Sequence, residues 1–406
     1  MSSNNRDFAG LIAFIICFLI IVSVVVLFSV NNFSLSSDTN ALYSSTNVMA
    51  QSSKKIYYIE SNNLEPKSTE YLNLHGFIMS LKKYPQIDIS VIEGVGTDYA
   101  RLEEIVNNAY SKGVRYIFLS GFEKNNALGN IFRRFNEINF FVNNMEATDA
   151  NVISYTDKNY VAKYLAGFVA GASSDKGNIG YVANGCGFIE LRNLNAFAIG
   201  LHKATPDKTL YVYWLNNSAN TDEQNYREVN DFVRGYAIDV IDGTNSPCRW
   251  CRYAMYNDLY YFDLVTRGHE SRIGNIIGRY HYDPAIIFDT LIGGIVANSR
   301  YYASNYYFGY SDRVIKFDYN THYIQKRFSD YMNKIISNLM AGNEYVYSGP
   351  IYNNQGLLMV PEGYTFTDEE LLHEMNWKNE NIQEVNECRP SKNSKRFVIR
   401  MVNFNN

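Results

Sequence analysis

Apolar and polar residues alternate along the chain with two different periods, so helices and strands are predicted in turn. The stretch NYVAKYLAGFVAGASS, which starts at Asn159, places Tyr160, Tyr164 and Phe168 on one face at helical spacing. A short apolar strand, NIGYVA, follows, and after a loop that contains glycine the stretch ELRNLNAFAIGLHK predicts a second helix. Helix, strand, loop and helix form one turn of a wound α/β sheet, in which ligands bind at the carboxyl ends of the strands.

The same alternation continues on both sides of this stretch. Helices recur between strands at the spacing of βαβ units, which predicts a mostly parallel sheet covered on both faces. Two successive wound units predict an α/β protein with two Rossmann-like lobes and a cleft between them. The strands predicted from these runs lie at residues 55–59, 87–92, 116–120, 139–142, 151–154, 178–183, 210–214 and 238–242.

After Cys248 the pattern weakens. A strand is predicted at residues 273–280 and a long amphipathic helix at residues 323–340. Thr367 and Glu370 have the spacing of a capping box, which predicts the start of a short helix. The segment after Gln383 is polar and is expected to be loosely attached.

An apolar segment without charged residues runs from Phe8 to Val30. At about 1.5 Å per residue it is long enough to cross the hydrocarbon core of a bilayer, whereas the apolar part of a cleaved secretory signal is usually shorter. We therefore expect an uncleaved transmembrane anchor, with a cleaved signal as the alternative. Residues 31–53 are rich in Ser, Asn and Thr and are expected to form a flexible tether, with the bulk of the chain on the extracytoplasmic side.

Charge and cysteine content exclude several functional classes. The net charge is -4 and no run of Lys or Arg could follow a phosphate backbone, so nucleic acid is not an expected partner. The scattered histidines predict no metal site, and the sequence has no nucleotide-binding glycine loop or nucleophile motif, so neither a cofactor nor catalytic residues are predicted. Cys248 and Cys251 have CxxC spacing. A local disulfide and two unrelated thiols explain this spacing equally well, and a redox enzyme is the third alternative.

Several motifs, taken in order, resemble the basic membrane protein family of ABC-transporter substrate-binding proteins, the relatives of purine-nucleoside-binding lipoproteins. In the middle of the chain the motifs are YLAGFVAG, GNIGYVA, IELRNLNAFAIGL, LYVYWLN and AIDVIDGTNSP. Near the C-terminus they are YSGPIYNNQG, PEGYTFTDEELL and MNW. The resemblance covers about residues 54–377.

The resemblance implies a type I periplasmic-binding-protein fold, in which two lobes joined by three crossovers at a hinge close on a small ligand. The first lobe is then expected to contain residues 54–155 plus about 282–345, and the second lobe residues 156–281 plus about 346–383. Residues 1–53 are expected to form the anchor and tether, and residues 384–406 a polar tail. The family's usual ligand is a nucleoside or purine base, which is passed to an ABC-type permease.

Candidate ligand-binding residues are those just beyond predicted strand ends, where aromatic faces could stack on a base and polar groups could read its edges. For Phe122 a loop-anchoring role is the alternative, for Glu190 ordinary helix-dipole chemistry, and for Trp377 packing. Tyr282 lies near an expected crossover, where a hinge role competes with ligand contact. The full set is Asn62, Asn63, Phe122, Glu190, Trp214, Asn216, Asn245, Ser246, Tyr282 and Trp377.

Two functions therefore follow from the sequence. The first is a membrane-tethered solute-binding protein that captures a nucleoside or purine for uptake or sensing. The alternative is a surface interaction protein or receptor that keeps the fold with a degenerate ligand site. An enzyme is not expected.

Overall fold

A computed structural model describes residues 54–64, 68–215, 221–244, 253–254, 257–265, 275–299 and 304–388. The apolar segment from Phe8 to Val30, the tether at 31–53 and the pair Cys248 and Cys251 lie outside these ranges. Within the described ranges, no helix has the length and apolar character needed to cross a bilayer.

The first sheet has six parallel strands in the order β2-β1-β3-β4-β5-β11. Its strands are β1 (Lys54–Glu60), β2 (Ile87–Ile92), β3 (Tyr116–Ser120), β4 (Asn139–Asn143), β5 (Val152–Asp157) and β11 (Ser304–Phe308). Aromatic rings cover one face: Phe118 stacks on Phe141 with ring centroids 4.4 Å apart. Aliphatic side chains such as Leu119 and Val142 cover the other face.

The second sheet has seven strands in the order β12-β10-β9-β8-β6-β7-β15, of which only β12 is antiparallel to its neighbour. Its strands are β6 (Asn178–Ala183), β7 (Thr209–Trp214), β8 (Val240–Gly243), β9 (Tyr260–Val265), β10 (Ile276–Tyr282), β12 (Ile315–Tyr319) and β15 (Ile382–Glu384). A separate hairpin consists of β13 (Ile351–Tyr352) and β14 (Leu358–Val360).

Helices cover both sheets, and four of the described helices begin at a residue whose side chain accepts from the free N–H groups of the first turn. The Ser68, Asp98 and Asn125 side chains accept from those groups in α1, α2 and α3. The helices are α1 (Thr69–Leu81), α2 (Tyr99–Ser111), α3 (Asn126–Arg134), α4 (Tyr160–Ser173), α5 (Phe188–Ala204), α6 (Asp222–Gly235), α7 (Ala285–Val296), α8 (Lys326–Ala341) and α9 (Glu370–His373). The predicted capping box is confirmed, since Thr367 and Glu370 exchange hydrogen bonds of 2.7 and 3.2 Å.

The chain passes between the two sheets three times: between β5 and α4, between β10 and α7, and between β11 and β12. Helix α7 returns to the first sheet and packs on α1, where a Cβ added at Gly76 would lie 2.6 Å from Pro284 Cγ. The first lobe therefore contains β1–β5, α1–α3, α7 and β11. The expected boundary near residue 345 is wrong, because β12 pairs with β10 and α8 packs on α4, so the chain is back in the second lobe by residue 315.

The tightest helix contact in the second lobe joins α4 and α5 through glycines. A Cβ added at Gly167 would lie 1.9 Å from the Phe197 carbonyl oxygen, and one added at Gly200 would lie 1.9 Å from the Tyr164 carbonyl oxygen. No side chain fits between backbones at these distances. The two motifs with the clearest family resemblance, YLAGFVAG and NAFAIGL, are thus the two faces of one helix contact.

The last described segment, residues 375–388, crosses α5 and continues along β7; we call it the C-terminal strap. The Asn195 side chain, fully buried, donates to the Trp377 carbonyl and accepts from the Asn379 N–H, each at 2.9 Å. Beyond β15, the Val385 N–H donates to the Val212 carbonyl at 2.9 Å. The expectation that the polar tail begins at 384 is therefore wrong for residues 384–388.

A disulfide joins Cys186, in the loop between β6 and α5, to Cys388 at the end of the strap. The two cysteines are 202 residues apart. This pairing was not among the predictions, because sequence spacing carries no information about which distant cysteines meet.

Most predicted elements up to β8 are confirmed, with boundaries shifted by a few residues. Beyond that point β9, α7, β11, β12 and β15 were not predicted. Helix α7 has the sequence AIIFDTLIGGIV, in which apolar residues occupy nearly every position, so helical periodicity is not visible.

Replacing Gly167 by Ala is expected to lower the free energy of unfolding by at least about 2–3 kcal/mol, since the added methyl group forces two helix backbones apart. Gly235 in α6 is the matched control: it has open space around its Cβ position, so Gly235→Ala should leave stability unchanged or raise it slightly. Denaturant unfolding of both variants measures the difference. Equal stabilities would contradict the role assigned to this contact.

Candidate functional site

The carboxyl ends of the two sheets meet next to the crossovers. Asp157 ends β5 in the first lobe, and its carbonyl accepts from Arg192 Nη2 of α5 in the second lobe at 3.4 Å. Tyr282 ends β10, and its hydroxyl donates to Asn73 Oδ1 of α1 at 2.6 Å and lies 3.4 Å from Asp157 Oδ2. We call the surroundings of these strand ends the interlobe region. Burial raises the pKa of Asp157, against the opposing effect of the Arg192 charge.

In the second lobe a buried lysine is paired with a carboxylate at a strand end. Lys163 of α4 donates to Asp242 Oδ2 of β8 at 2.8 Å and to the Gly243 carbonyl at 2.9 Å. The Tyr280 hydroxyl donates to the same Asp242 oxygen at 2.6 Å, and the ammonium lies 4.5 Å from the centre of the Tyr280 ring. The side chains of Lys163 and Asp242 are only 12% and 6% exposed, so water screens this pair weakly.

Glu190 lies beside this pair, in the first turn of α5. Its Oε1 accepts from the Thr244 hydroxyl at 2.6 Å, and the same hydroxyl oxygen accepts from the Asn184 N–H at 2.9 Å. Burial raises the pKa of Glu190 to about 7, although the Thr244 hydrogen bond and the Lys163 charge lower it. At neutral pH this carboxyl group can therefore either accept or donate a hydrogen bond. We call Lys163, Glu190, Asp242, Thr244 and Tyr280 the lysine–carboxylate cluster.

The first lobe contributes a second buried carboxyl group, that of Glu60 at the end of β1. Its Oε1 accepts from the Asn62 N–H at 3.2 Å, and the Ser120 side chain lies beside both Glu60 and Tyr58. Burial raises the pKa of Glu60.

Of the predicted site residues, Glu190 and Tyr282 lie in the interlobe region. Trp214 does end β7, but its side chain is fully buried and its Nε1 donates to Glu384 Oε1 of the strap at 2.8 Å. Asn386 of the strap hydrogen-bonds both the N–H and the carbonyl of Trp214, at 2.8 and 2.9 Å. The strap thus occupies the space where the sequence placed a ligand ring.

The remaining predicted residues divide into three groups. Phe122 is buried in the first lobe near Tyr99, which fits the loop-anchoring alternative, and buried Trp377 fits the packing alternative. Asn62 and Asn63 are exposed after β1, and the Asn62 carbonyl accepts from the Gly94 N–H at 3.1 Å. The third group lies outside the described residues: Asn216, Asn245 and Ser246.

Sequence reasoning missed Lys163, Asp242 and Thr244. Lys163 is a single charge on the otherwise apolar helix α4, and Asp242 follows the apolar run of β8, so each was visible as a charged residue in a buried pattern. Among the described residues no group of three or more His, Cys, Asp or Glu side chains could hold a metal ion.

A cavity of about 270 Å³ lies at the opposite end of the second sheet, between the start of β10 and the end of β12. Its lining includes Ile276, Arg279, Asp318 and Thr321. Because it is away from the carboxyl ends of the parallel strands, it is not where this class of sheet binds ligands.

The chain thus combines two lobes of wound α/β sheet, three crossovers between them and polar groups at the strand ends of both lobes. Residues 55–243 match the family model described as ABC transporter substrate-binding protein, PnrA-like. This match is to Bmp, the family that the sequence motifs resemble. The family model describes substrate-binding proteins of ABC transporters, and such proteins are not enzymes.

Individual proteins are similar at lower identity. A purine-binding protein of Brucella abortus (strain 2308) is 23% identical over 132 residues, which are 32% of this chain and 37% of that protein. The chain thus aligns with little more than a third of this relative's length.

Two solved structures show the same fold. A solute-binding protein of an ABC transporter system from Aeropyrum pernix K1 superposes with a TM-score of 0.61 at 11% identity, covering 80% of this chain and 98% of that chain. One from Conexibacter woesei has a TM-score of 0.57 at 15% identity, covering 72% and 97%.

Glu190 should make stability depend on pH. Since its pKa is about 7 in the folded state and 4.5 is its ordinary value, the folded chain binds the proton more tightly and loses stability as pH rises from about 4.5 to 7. Glu190→Gln removes this loss, so the variant should gain on the order of 2 kcal/mol relative to the unchanged chain between pH 5 and pH 8.

Urea unfolding at pH 5 and pH 8 measures this difference. Glu223→Gln is the control, because the Glu223 side chain is 69% exposed on α6 and its replacement should have the same small effect at both pH values. A Glu190→Gln difference that does not change with pH would contradict the raised pKa.

Proposed function

We propose that this chain is a solute-binding protein of the ABC-transporter type that captures a nucleoside or purine base between its lobes. The observation that carries the proposal is the lysine–carboxylate cluster, which gathers charged groups from α4, α5 and β8 at the carboxyl end of the second sheet. The match to the PnrA-like family model and the purine-binding protein of Brucella among the relatives support a purine.

The chemistry of the interlobe region suits such a ligand. Purine edges carry both N–H donors and ring-nitrogen acceptors, and a carboxyl group with a pKa of about 7 can pair with either. The Lys163 ammonium and the Asp242 carboxylate could hold ribose hydroxyls. The buried carboxyl group of Glu60 adds a polar group from the other lobe.

Binding would act by lobe closure. A ligand that touches both lobes stabilises the closed arrangement only by the contacts that the open arrangement lacks. The hinge would be formed by the residues beside the crossovers, which are Asp157, Arg192 and Tyr282. No covalent chemistry is required.

Location and partner belong to the same proposal. The uncharged segment from Phe8 to Val30 would anchor the chain in a membrane, with the lobes on the extracytoplasmic side and an ABC-type permease as the receiver of the ligand. The disulfide between Cys186 and Cys388 supports an oxidising compartment, since such bonds are rare in the cytosol.

The second candidate function is a surface interaction protein that has lost the small-molecule site. It is favoured by the number of tyrosines that the chain buries in its own core, among them Tyr58, Tyr155, Tyr181 and Tyr347. Side chains packed in this way occupy volume that a ligand would need.

Thermal unfolding of the full chain with a panel of purine bases, purine nucleosides and pyrimidine nucleosides separates the two candidates. A compound present at 100 times its dissociation constant should stabilise the fold by about 2.7 kcal/mol. We expect a purine compound to raise the melting temperature, and Glu190→Gln to weaken its binding at least tenfold, because a hydrogen bond to a charged group is worth about 1.5–3 kcal/mol.

Glu223→Gln, on the exposed face of α6, should bind as tightly as the unchanged chain. If no compound shifts the melting temperature of protein freed from co-purified ligand, the interaction protein becomes the better account. A shift that Glu190→Gln leaves intact would place the ligand elsewhere.

A further inference from the structure

The loop between β6 and α5, residues 184–187, is the part of the second lobe that leads into the lysine–carboxylate cluster. Three residues after it comes Glu190. The loop has two glycines, Gly185 with a φ of +95° and Gly187, and neither has an atom within 4 Å of its Cβ position. At these two glycines no neighbouring atom fills the space where a side chain would stand.

The first turn of α5 also lacks a capping side chain. Its N-cap residue is Gly187, which has no side chain to accept from the free N–H groups of that turn. The Asn184 N–H reaches Thr244 Oγ1, and the Leu191 N–H reaches the Gly187 carbonyl. Between these two bonds lies Cys186.

The disulfide joins Cys186 to a segment that other contacts hold in place. The other half of the disulfide, Cys388, ends the C-terminal strap, and the strap is held by β15 pairing with β7 and by the paired hydrogen bonds of Asn386 with Trp214. Lys378 and Trp214 also both donate to Glu384 Oε1, at 2.7 and 2.8 Å. The strap therefore stays in place through contacts that do not involve sulfur.

From this arrangement we infer that the Cys186–Cys388 disulfide is a positioning element of the ligand site: it immobilises the loop at 184–187 and so fixes the first turn of α5 with Glu190. This inference rests on the proposed function. A site held ready before binding loses less entropy on binding, so opening the disulfide should weaken the ligand's affinity while the fold persists.

The same arrangement makes affinity respond to redox conditions. Cys186 and Cys388 are both partly exposed, so an external dithiol can reach the bond. In that reaction the dithiol loses two electrons and two protons and becomes a disulfide, while Cys186 and Cys388 each become a thiol.

Hydrogen exchange and purine binding, measured together on the full chain, test the inference. The chain is compared in its oxidised form, after dithiothreitol treatment, and with Cys186→Ser and Cys388→Ser combined. We expect amide exchange at 185–190 to rise at least roughly tenfold in the reduced and doubly substituted forms, exchange in β7 to stay unchanged, and purine affinity to fall roughly tenfold. Dithiothreitol should have no further effect on the doubly substituted chain, which controls for its action on other cysteines.

Unchanged loop exchange, or unchanged affinity despite faster loop exchange, overturns the inference. If exchange in β7 also rises, the Asn386→Ala variant is compared, because it loosens the strap and keeps the disulfide. An equal loss of purine affinity in that variant would assign the effect to the strap and overturn the inference. If the oxidised chain binds no purine, the proposed function fails, and loop exchange alone then decides whether the disulfide holds the loop.

Discussion

The contact between the backbones of α4 and α5 is the constraint on which the second lobe depends. Because Gly167 and Gly200 each face a carbonyl oxygen of the other helix, the two helices have one relative position that avoids collision. That position places Lys163 of α4 against Asp242 and brings Glu190 of α5 next to Thr244. The motifs that mark the family are thus packing motifs, and they determine the geometry of a site to which their glycines contribute no atoms.

The wound α/β architecture was predictable because the parallel strands from β1 to β8 are short apolar runs that alternate with amphipathic helices. The pattern of apolar and polar residues does not reveal an element that is apolar at nearly every position, as in α7. It also does not reveal a short strand at the edge of a sheet, as in β15. The error in the lobe boundary has the same origin. Residue 315 begins β12, whose partner β10 cannot be identified from local periodicity.

The site was predictable only in part, since position at a strand end does not say whether a side chain faces a ligand. Glu190 lies in the interlobe region, whereas Trp214 is covered by a strap that comes from about 170 residues further along the chain. Lys163 was overlooked because a single lysine on a helix usually faces water. The pairing of Cys186 with Cys388 is a long-range contact of the same kind. It connects the strap to the loop that precedes Glu190.

The central claim is that a purine ligand lies between the lobes, against the lysine–carboxylate cluster. A crystal structure of the chain with the purine compound that stabilises it most tests this directly. The account predicts density for the ligand within hydrogen-bond distance of Glu190 and of either Lys163 or Asp242, with contacts from both lobes. Ligand density confined to another surface, such as the cavity beside Arg279, with the interlobe region filled by tyrosine side chains alone, would contradict it.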